Sequence, residues 1–413
     1  MSGFSNFRNS EINISQFVYY LIPLYFIFDS LTIIIFKAGG LFTLIRGIII
    51  YIFIIYSYTS LKVSKRDVFI FLLLFQTLFL LLYSNNILTS ITISSKVFAS
   101  LFMFPIGFHF ISNEFKFQKL VNIIPWLLVI IIINFILGKF FGIGYDVYDK
   151  NSSLRLGNFS DNVNVFTYTL LIVPLFIVYS KGRFTKIATI IMGLLISIII
   201  LLAMKRVAIV GLLFGYFIFS LFTGEFFKNI RWISMLILIL YLSMPLYQDL
   251  LNKRFYARED RLKMDSIQED GRVWETKIIW SDILSFKEPV KSILGFQTFN
   301  SPNNYANAIY KGRRLHVDYN EIVFGNGLIG LFLYLGIYFN IIIQYLKYRL
   351  KKMNVKYSIM TGVFWALILT SLFTSFSGQY YAITFRSIIF LFLGAILRQL
   401  YNFKESSINS IKV

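Results

Sequence analysis

The sequence contains no cysteine and only two histidines. Without cysteine, the chain can form neither a disulfide nor a thiolate metal site. Charged residues are also scarce, at 15% of the 413 residues against about a quarter in ordinary soluble domains, whereas 57% are hydrophobic and the mean hydropathy is +0.69. This shortage of charge predicts an integral membrane protein.

Several well-known catalytic motifs are missing as well. The chain has no H-E-x-x-H, no P-loop, no G-x-S-x-G and no D-x-D of the kind that holds a metal in nucleotide-sugar transferases. The letters G-N-G-L-I-G at 325–330 match the dinucleotide fingerprint, but they lie within an apolar run without a preceding strand. Close packing of helices through small residues is the better interpretation. What remains is a metal-free reaction on a lipid-linked substrate, or transport.

Apolar runs that approach or reach the roughly 20 residues needed to cross a bilayer recur along the chain. They lie at 17–36, 41–58, 68–83, 98–111, 123–137, 163–179, 187–202, 207–221, 230–247, 322–345, 357–376 and 383–400. We therefore predict an all-α polytopic membrane protein of about twelve transmembrane helices. Helices 1–9 occupy residues 1–247, a large polar loop occupies 248–320, and helices 10–12 with a tail occupy 321–413.

Basic residues collect in alternate connectors, which predicts the orientation of the chain. The connectors SLKVSKR, NEFKFQK, SKGRFTK, GEFFKNIR and KYRLKKMNVK are basic, whereas YSNNILTS and SGQYYA carry no positive charge. Both termini are therefore expected in the cytoplasm and the large loop outside it. Much of the net charge of +20 reflects this bias, and the dispersed basic residues do not predict nucleic-acid binding.

Two arginines are expected at the extracytoplasmic face. Arg206 begins one span, and Arg386 lies about one helical turn into the last span. Two guanidinium groups at one face could bind a phosphate or pyrophosphate bidentately, although arginines also anchor helix ends. The neighbouring Lys205 is a further candidate, or a side chain that reaches to the lipid headgroups.

The predicted outer loops contain further candidate polar residues. Arg155 and Asn162 precede the span at 163–179, in a polar cluster that suits sugar hydroxyls. Asn162 could equally be an ordinary helix N-cap, and the whole cluster ordinary loop chemistry. Arg272 would begin an amphipathic helix at the membrane surface, where a helix N-terminus and a guanidinium both favour an anion. His109 is expected near the cytoplasmic side, which leaves His316 as the histidine available for proton transfer at the outer face.

Four short motifs, MKRVAIVG, EDGRVW, LGFQTF and LHVDYNEIVFGNGLIG, occur in the order of these spans and loop. Together with about twelve spans and a large loop between the ninth and tenth, they resemble the O-antigen polymerase and ligase superfamily. The family's span-eight arginine would correspond to Arg206, its loop G-R motif to Arg272, and its histidine before the tenth span to His316. One departure is that Lys205 and Val207 flank Arg206, where the family commonly has small residues and a serine.

The resemblance implies a metal-independent, inverting polysaccharide polymerase of the bacterial inner membrane that needs no cofactor. Its partners would be donor and acceptor glycans on undecaprenyl pyrophosphate, the bilayer and a chain-length regulator protein. His316 would be the general base, with Asp318 as the alternative, and the arginines would bind the donor pyrophosphate. The expected substrate contacts are Lys205, Arg155, Asn162, Tyr319, Arg272 and Arg386. A ligase of the same fold stays open, as does a flippase whose polar groups, such as Asp29 and Arg46, would line a central passage.

Overall fold

The computed structural model describes residues 18–27, 51, 64–84, 86–141, 163–203, 205–224, 241, 244–246, 248–249, 252, 271–295, 298, 315–350, 354–378 and 382–409. All regular structure within these ranges is helical, which confirms the predicted all-α class for this part of the chain. The helices of the first half are α1 (Val18–Ile27), α2 (Val68–Leu81), α3 (Ile87–Leu101), α4 (Met103–Phe110), α5 (Glu114–Val121), α6 (Ile124–Phe141), α7 (Asn164–Tyr179), α8 (Arg183–Leu202) and α9 (Arg206–Phe222). Those that follow are α10 (Gly271–Leu284), α11 (Pro289–Leu294), α12 (Asp318–Tyr348), α13 (Val355–Thr374) and α14 (Ile383–Asn409).

Six helical segments of the described chain are long and apolar enough to cross a membrane. They are Ile87–Phe110, Glu114–Phe141, Arg183–Leu201, Asp318–Tyr348, Val355–Ser377 and Ile383–Ser406. Four further apolar helices, α1, α2, α7 and α9, are shorter. The count of twelve spans stays a prediction, because the predicted spans at 41–58 and 230–247 lie almost wholly outside the described residues. The position of the termini relative to the membrane also stays a prediction.

Two predicted connectors are helical in the structure. The run predicted to begin at 98 continues a helix that starts at Ile87, and the run predicted to begin at 123 follows a helix that starts at Glu114. Asn86 and Asn113 cap these helices, because their side chains accept hydrogen bonds from the N–H groups of Thr89 and Lys116. Both helices therefore begin at a polar cap, several residues before the apolar runs from which they were predicted.

Helix α14 lies at the centre of the described bundle. In its most apolar window, 94% of the residues are buried within the protein. It contacts α4 most closely, where a methyl group on Gly107 would lie 2.2 Å from the carbonyl oxygen of Leu391. On the other helix, a methyl group on Gly394 would lie 2.1 Å from the carbonyl oxygen of Phe104. Within a membrane, burial of apolar side chains gains little, because the lipid is equally apolar. Helices there associate through close packing, which small residues such as these glycines allow.

The bundle has two ends, which we name by one residue each. The His316 end contains the first turns of α7, α9 and α12 and the last turn of α13. Three hydrogen bonds join these turns: Thr167 Oγ1 to the Ala208 carbonyl (3.0 Å), Tyr168 Oη with Thr374 Oγ1 (2.6 Å), and Tyr319 Oη to the Leu372 carbonyl (2.7 Å). The Arg398 end contains the last turns of α12 and α14 and the first turns of α2, α5 and α13. Gln399 and Asn402 of α14 donate there to the carbonyls of Ile111 and Ser112.

Candidate functional site

A buried carboxylate joins the predicted large loop to the start of α12. Glu275 of α10 is fully buried, and its Oε1 accepts the backbone N–H of His316 at 2.8 Å and of Val317 at 3.2 Å. The same oxygen accepts from Nδ2 of Asn320 at 3.3 Å. Backbone N–H groups at the start of a helix have no partner within that helix, and a negative charge is favourable there. Glu275 therefore supplies α12 with its cap from a different part of the chain.

His316 has a fixed backbone and an exposed side chain. Glu275 binds its N–H group, and Gly378 lies against its carbonyl oxygen. Gly378 has a φ of +90°, and a methyl group on it would lie 2.0 Å from that oxygen. Only glycine meets both requirements, a left-handed backbone and close approach. The histidine predicted as general base is thus held by its main chain while its imidazole faces outward.

A groove of about 660 Å³ lies beside this anchor, between α10 and α12. Arg272 and Lys277, both exposed, supply the positive charge in its wall. Trp280 lines it as well and donates its indole N–H to Oδ1 of Asn320 at 3.1 Å. Leu331 and Leu335 extend the lining to the part of α12 that is long and apolar enough to cross a membrane. The groove therefore combines cations with an apolar wall, as a binding site for a lipid with an anionic headgroup would.

The predicted helix at Arg272 is confirmed, because α10 runs from Gly271 to Leu284. Its buried face carries Glu275, Ile279 and Ile283, four residues apart, whereas Arg272 and Lys277 are exposed. Glu275 is not among the residues that the sequence analysis predicts for the site. The signal was available, since a glutamate in register with two isoleucines at a helical spacing predicts a buried acid.

Arg386 lies one turn into α14, as predicted, but neither Arg386 nor Asp318 faces outward. They form an ion pair inside the bundle, and each side chain is only 2% exposed. Nη1 of Arg386 also donates to the hydroxyls of Tyr334 (3.1 Å), Tyr338 (3.2 Å) and Ser371 (3.2 Å), and Nη2 donates to Ser375 (3.1 Å). Both terminal nitrogens are therefore occupied by protein groups, which argues against pyrophosphate binding by Arg386 and against Asp318 as the general base. The pair instead stabilises helix packing, because it connects the first turn of α12 to α13 and α14.

The remaining predicted residues are only partly brought together. Tyr319 lines the groove, but its hydroxyl donates to the Leu372 carbonyl, and its ring meets that of Phe376 edge-on at 4.8 Å. Arg206, exposed at the start of α9, lies at the His316 end but does not line the groove. Lys205 is the residue before it and is half-buried. Among the described residues, no hydrogen bond or ion pair joins Arg206 to His316 or Arg272. The candidates Arg155 and Asn162 lie outside the described residues.

Helix α12 is broken within the G-N-G-L-I-G stretch. Gly327 has a φ of +66°, and a methyl group on it would lie 2.4 Å from the carbonyl oxygen of Ile293. The end of α11 therefore packs into the break. Gln76 of α2 binds both helices at this break. Its Nε2 donates to the carbonyl of Asn326 in α12 (2.7 Å) and to that of Leu294 in α11 (3.3 Å). The predicted close packing of these glycines is therefore present, but the break itself was not predicted. It gives the predicted large loop a second attachment to α12.

Comparisons with known proteins add no assignment. A scan against models of known protein families finds no match for this chain, and a search of curated proteins finds no relative. Within the described residues, no group of three or more His, Cys, Asp or Glu side chains is arranged to hold a metal ion. The resemblance to the O-antigen polymerase and ligase superfamily therefore stays a prediction based on the four motifs.

Proposed function

We propose that this chain is an integral-membrane glycosyltransferase that joins oligosaccharide repeat units carried on undecaprenyl pyrophosphate into a polysaccharide. The observation that supports it best is the groove between α10 and α12, next to the exposed His316. Arg272 and Lys277 provide positive charge, and Leu331 and Leu335 provide an apolar wall. A polyprenyl pyrophosphate has the matching chemistry, because a strongly anionic headgroup is followed by a long apolar chain.

The proposed reaction is a single displacement. An acceptor sugar hydroxyl attacks the anomeric carbon of the donor, and His316 accepts the hydroxyl proton. The bond between that carbon and the pyrophosphate oxygen breaks, and its electron pair leaves with undecaprenyl pyrophosphate. Arg272 and Lys277 stabilise the charge that grows on this leaving group, and the anomeric configuration is inverted. Arg206, at the same end of the bundle, is the candidate for an additional contact with the donor.

The rival functions differ in what they require of the bundle. A flippase needs a central polar passage. The centre of the described bundle is instead filled by α14, which favours an enzyme over a transporter. Asp29 and Arg46, which would line such a passage, lie outside the described residues. A ligase requires the same groove and the same chemistry, and differs only in its acceptor.

The experiment that tests this function compares His316→Ala and Arg206→Ala with the wild type in cells that make the polysaccharide. After insertion in the membrane is verified, the length ladder of the surface glycan is read on a gel. We expect both variants to leave single repeat units on the lipid carrier. Accumulation of full-length polymer on the carrier would identify a ligase instead. Normal ladders from both variants would refute the assigned site.

A further inference from the structure

Two arginines surround one buried aromatic ring at the Arg398 end. The guanidinium carbon of Arg66, just before α2, lies 3.7 Å from the ring centroid of Phe108, and that of Arg398 lies 5.5 Å from the same centroid. Arg398 also lies 5.1 Å from the ring of Tyr401. The rings attract each cation, but the two guanidinium groups repel each other. This arrangement has a surplus of positive charge at the ends of membrane-embedded helices.

The protein itself leaves much of this charge unneutralised. Nε of Arg66 donates to Ser64 at 2.9 Å, and Nε of Arg398 makes a long contact of 3.5 Å with the Ser112 carbonyl. Within the described part of the chain, the terminal nitrogens of both arginines have no hydrogen bond and no ion pair. The carboxylate of Asp67 attracts the guanidinium of Arg66. The two described side chains nevertheless do not come within ion-pair distance of each other. Both arginines are half-buried, and their unpaired terminal nitrogens are not among the fully buried polar atoms of the described residues, so they remain accessible from outside.

An apolar groove starts at Ser64, the residue whose hydroxyl accepts from Nε of Arg66. It has a volume of about 620 Å³ and begins at Ser64 and Lys65, then follows the outer face of α2 through Leu72 and Phe75 to Leu78. At 1.5 Å per residue, the helix from Val68 to Leu78 is roughly 15 Å long, which is about half of the roughly 30 Å hydrocarbon core and so the depth of one leaflet's acyl chains. The three apolar side chains are 47%, 73% and 53% exposed, as expected for a surface in contact with lipid.

We propose that this place is a specific binding site for one anionic phospholipid of the leaflet at the Arg398 end. The phosphate lies between Arg66 and Arg398, where two guanidinium forks can share its oxygens, and one acyl chain follows the groove along α2. Charge complementarity selects the headgroup, and the groove selects a lipid over a small phosphate. The basic connectors at this end agree with a leaflet rich in anionic lipid. The site is separate from the α10–α12 groove and does not depend on the proposed reaction.

The test uses the full chain in nanodiscs of phosphatidylcholine, with and without phosphatidylglycerol. We expect phosphatidylglycerol to raise the Tm of the wild type by about 4 °C. We also expect native mass spectrometry to retain one such lipid per chain. The double variant Arg66→Gln, Arg398→Gln should lose both effects. Leu72→Trp, which fills the groove but keeps both arginines, should lose the retained lipid as well.

Lys119→Gln is the matched control, because Lys119 lies 4.6 Å from the exposed ring of Phe115 in another cation–π contact. It should respond to phosphatidylglycerol as the wild type does. The proposal is overturned if the arginine double variant keeps the retained lipid and its Tm rise. It is also overturned if millimolar inorganic phosphate gives the wild type the same stabilisation in phosphatidylcholine alone, since the site would then bind a free anion.

Discussion

Arg386 at one end of the bundle has surroundings opposite to those of Arg66 and Arg398 at the other end. At the His316 end, Arg386 is buried, paired with Asp318 and bonded to four hydroxyl groups. At the Arg398 end, Arg66 and Arg398 share the ring of Phe108 and keep their terminal nitrogens accessible. The first arrangement uses the charge to hold helices together, whereas the second leaves it available to a ligand. Of these arginines, only Arg66 and Arg398 therefore have donors left for a ligand.

The largest expected effect comes from breaking the buried pair. Arg386→Leu should destabilise the fold by about 4 kcal/mol, because it leaves the carboxylate of Asp318 buried without its counter-ion. Thermal unfolding in detergent measures this. The double variant Arg386→Leu, Asp318→Leu should recover most of the loss. Lys356→Gln is the exposed counterpart, since Lys356 pairs with Glu114 at 2.5 Å on the surface, and it should change stability by less than about 1 kcal/mol.

A somewhat smaller effect is expected from the contact beneath His316. Gly378→Ala should cost about 3 kcal/mol and abolish polymer formation, because the added methyl group displaces the His316 carbonyl. Gly224→Ala is the matched control. Gly224 also has a positive φ, +74°, but a methyl group there meets nothing within 4 Å, so the cost should be about 1 kcal/mol. If both variants lose the same unfolding free energy and both keep full activity, Gly378 has no role in positioning His316.

The cap from the large loop is expected to contribute next. Glu275→Ala removes the acceptor of two backbone N–H groups and should destabilise the protein by about 2 kcal/mol. The same variant should lower kcat, because His316 loses one of its two backbone attachments. Glu288→Gln is the control, since Glu288 is exposed and pairs only with Lys291 three residues later. A stable Glu275→Ala protein with full kcat would show that the loop helix does not position the histidine.

The smallest expected effect concerns Asp67, next to Arg66. Burial raises the pKa of Asp67 to about 6, against the opposing attraction of Arg66. The folded chain therefore binds this proton more tightly than the unfolded chain, so the free energy of unfolding should fall as the pH rises from about 4 to 6 and then level off. Asp67→Asn should remove that fall and be more stable than the wild type at pH 7.5, by up to about 2 kcal/mol. Unfolding midpoints at pH 4.5 and 7.5 give the comparison, and identical pH profiles for the two proteins would contradict it.

The helices were largely predictable from local pattern, and the site was not. Apolar runs predict α7, α9, α12 and α13 to within a few residues, because length and composition determine where a helix can cross lipid. The pairing of Arg386 with Asp318 depends on how α12 and α14 pack, across 68 positions of sequence. The break at Gly327 was hidden for a similar reason, since the same glycines would suit a straight packed helix. Arg272 and His316 stay candidates that the sequence singled out, Arg272 because it stands at the start of a helix and His316 because it is the one histidine expected at the outer face.

The most direct test of the account is the elongation reaction of the purified protein in liposomes, with a synthetic undecaprenyl-pyrophosphate-linked repeat unit as donor and acceptor. Wild type and Lys356→Gln should produce dimers and longer oligomers. His316→Ala should slow chain growth by about 100-fold or more, because proton removal from the acceptor hydroxyl is lost. Arg272→Gln and Lys277→Gln should raise the donor KM. Elongation by His316→Ala at the wild-type rate would contradict the account.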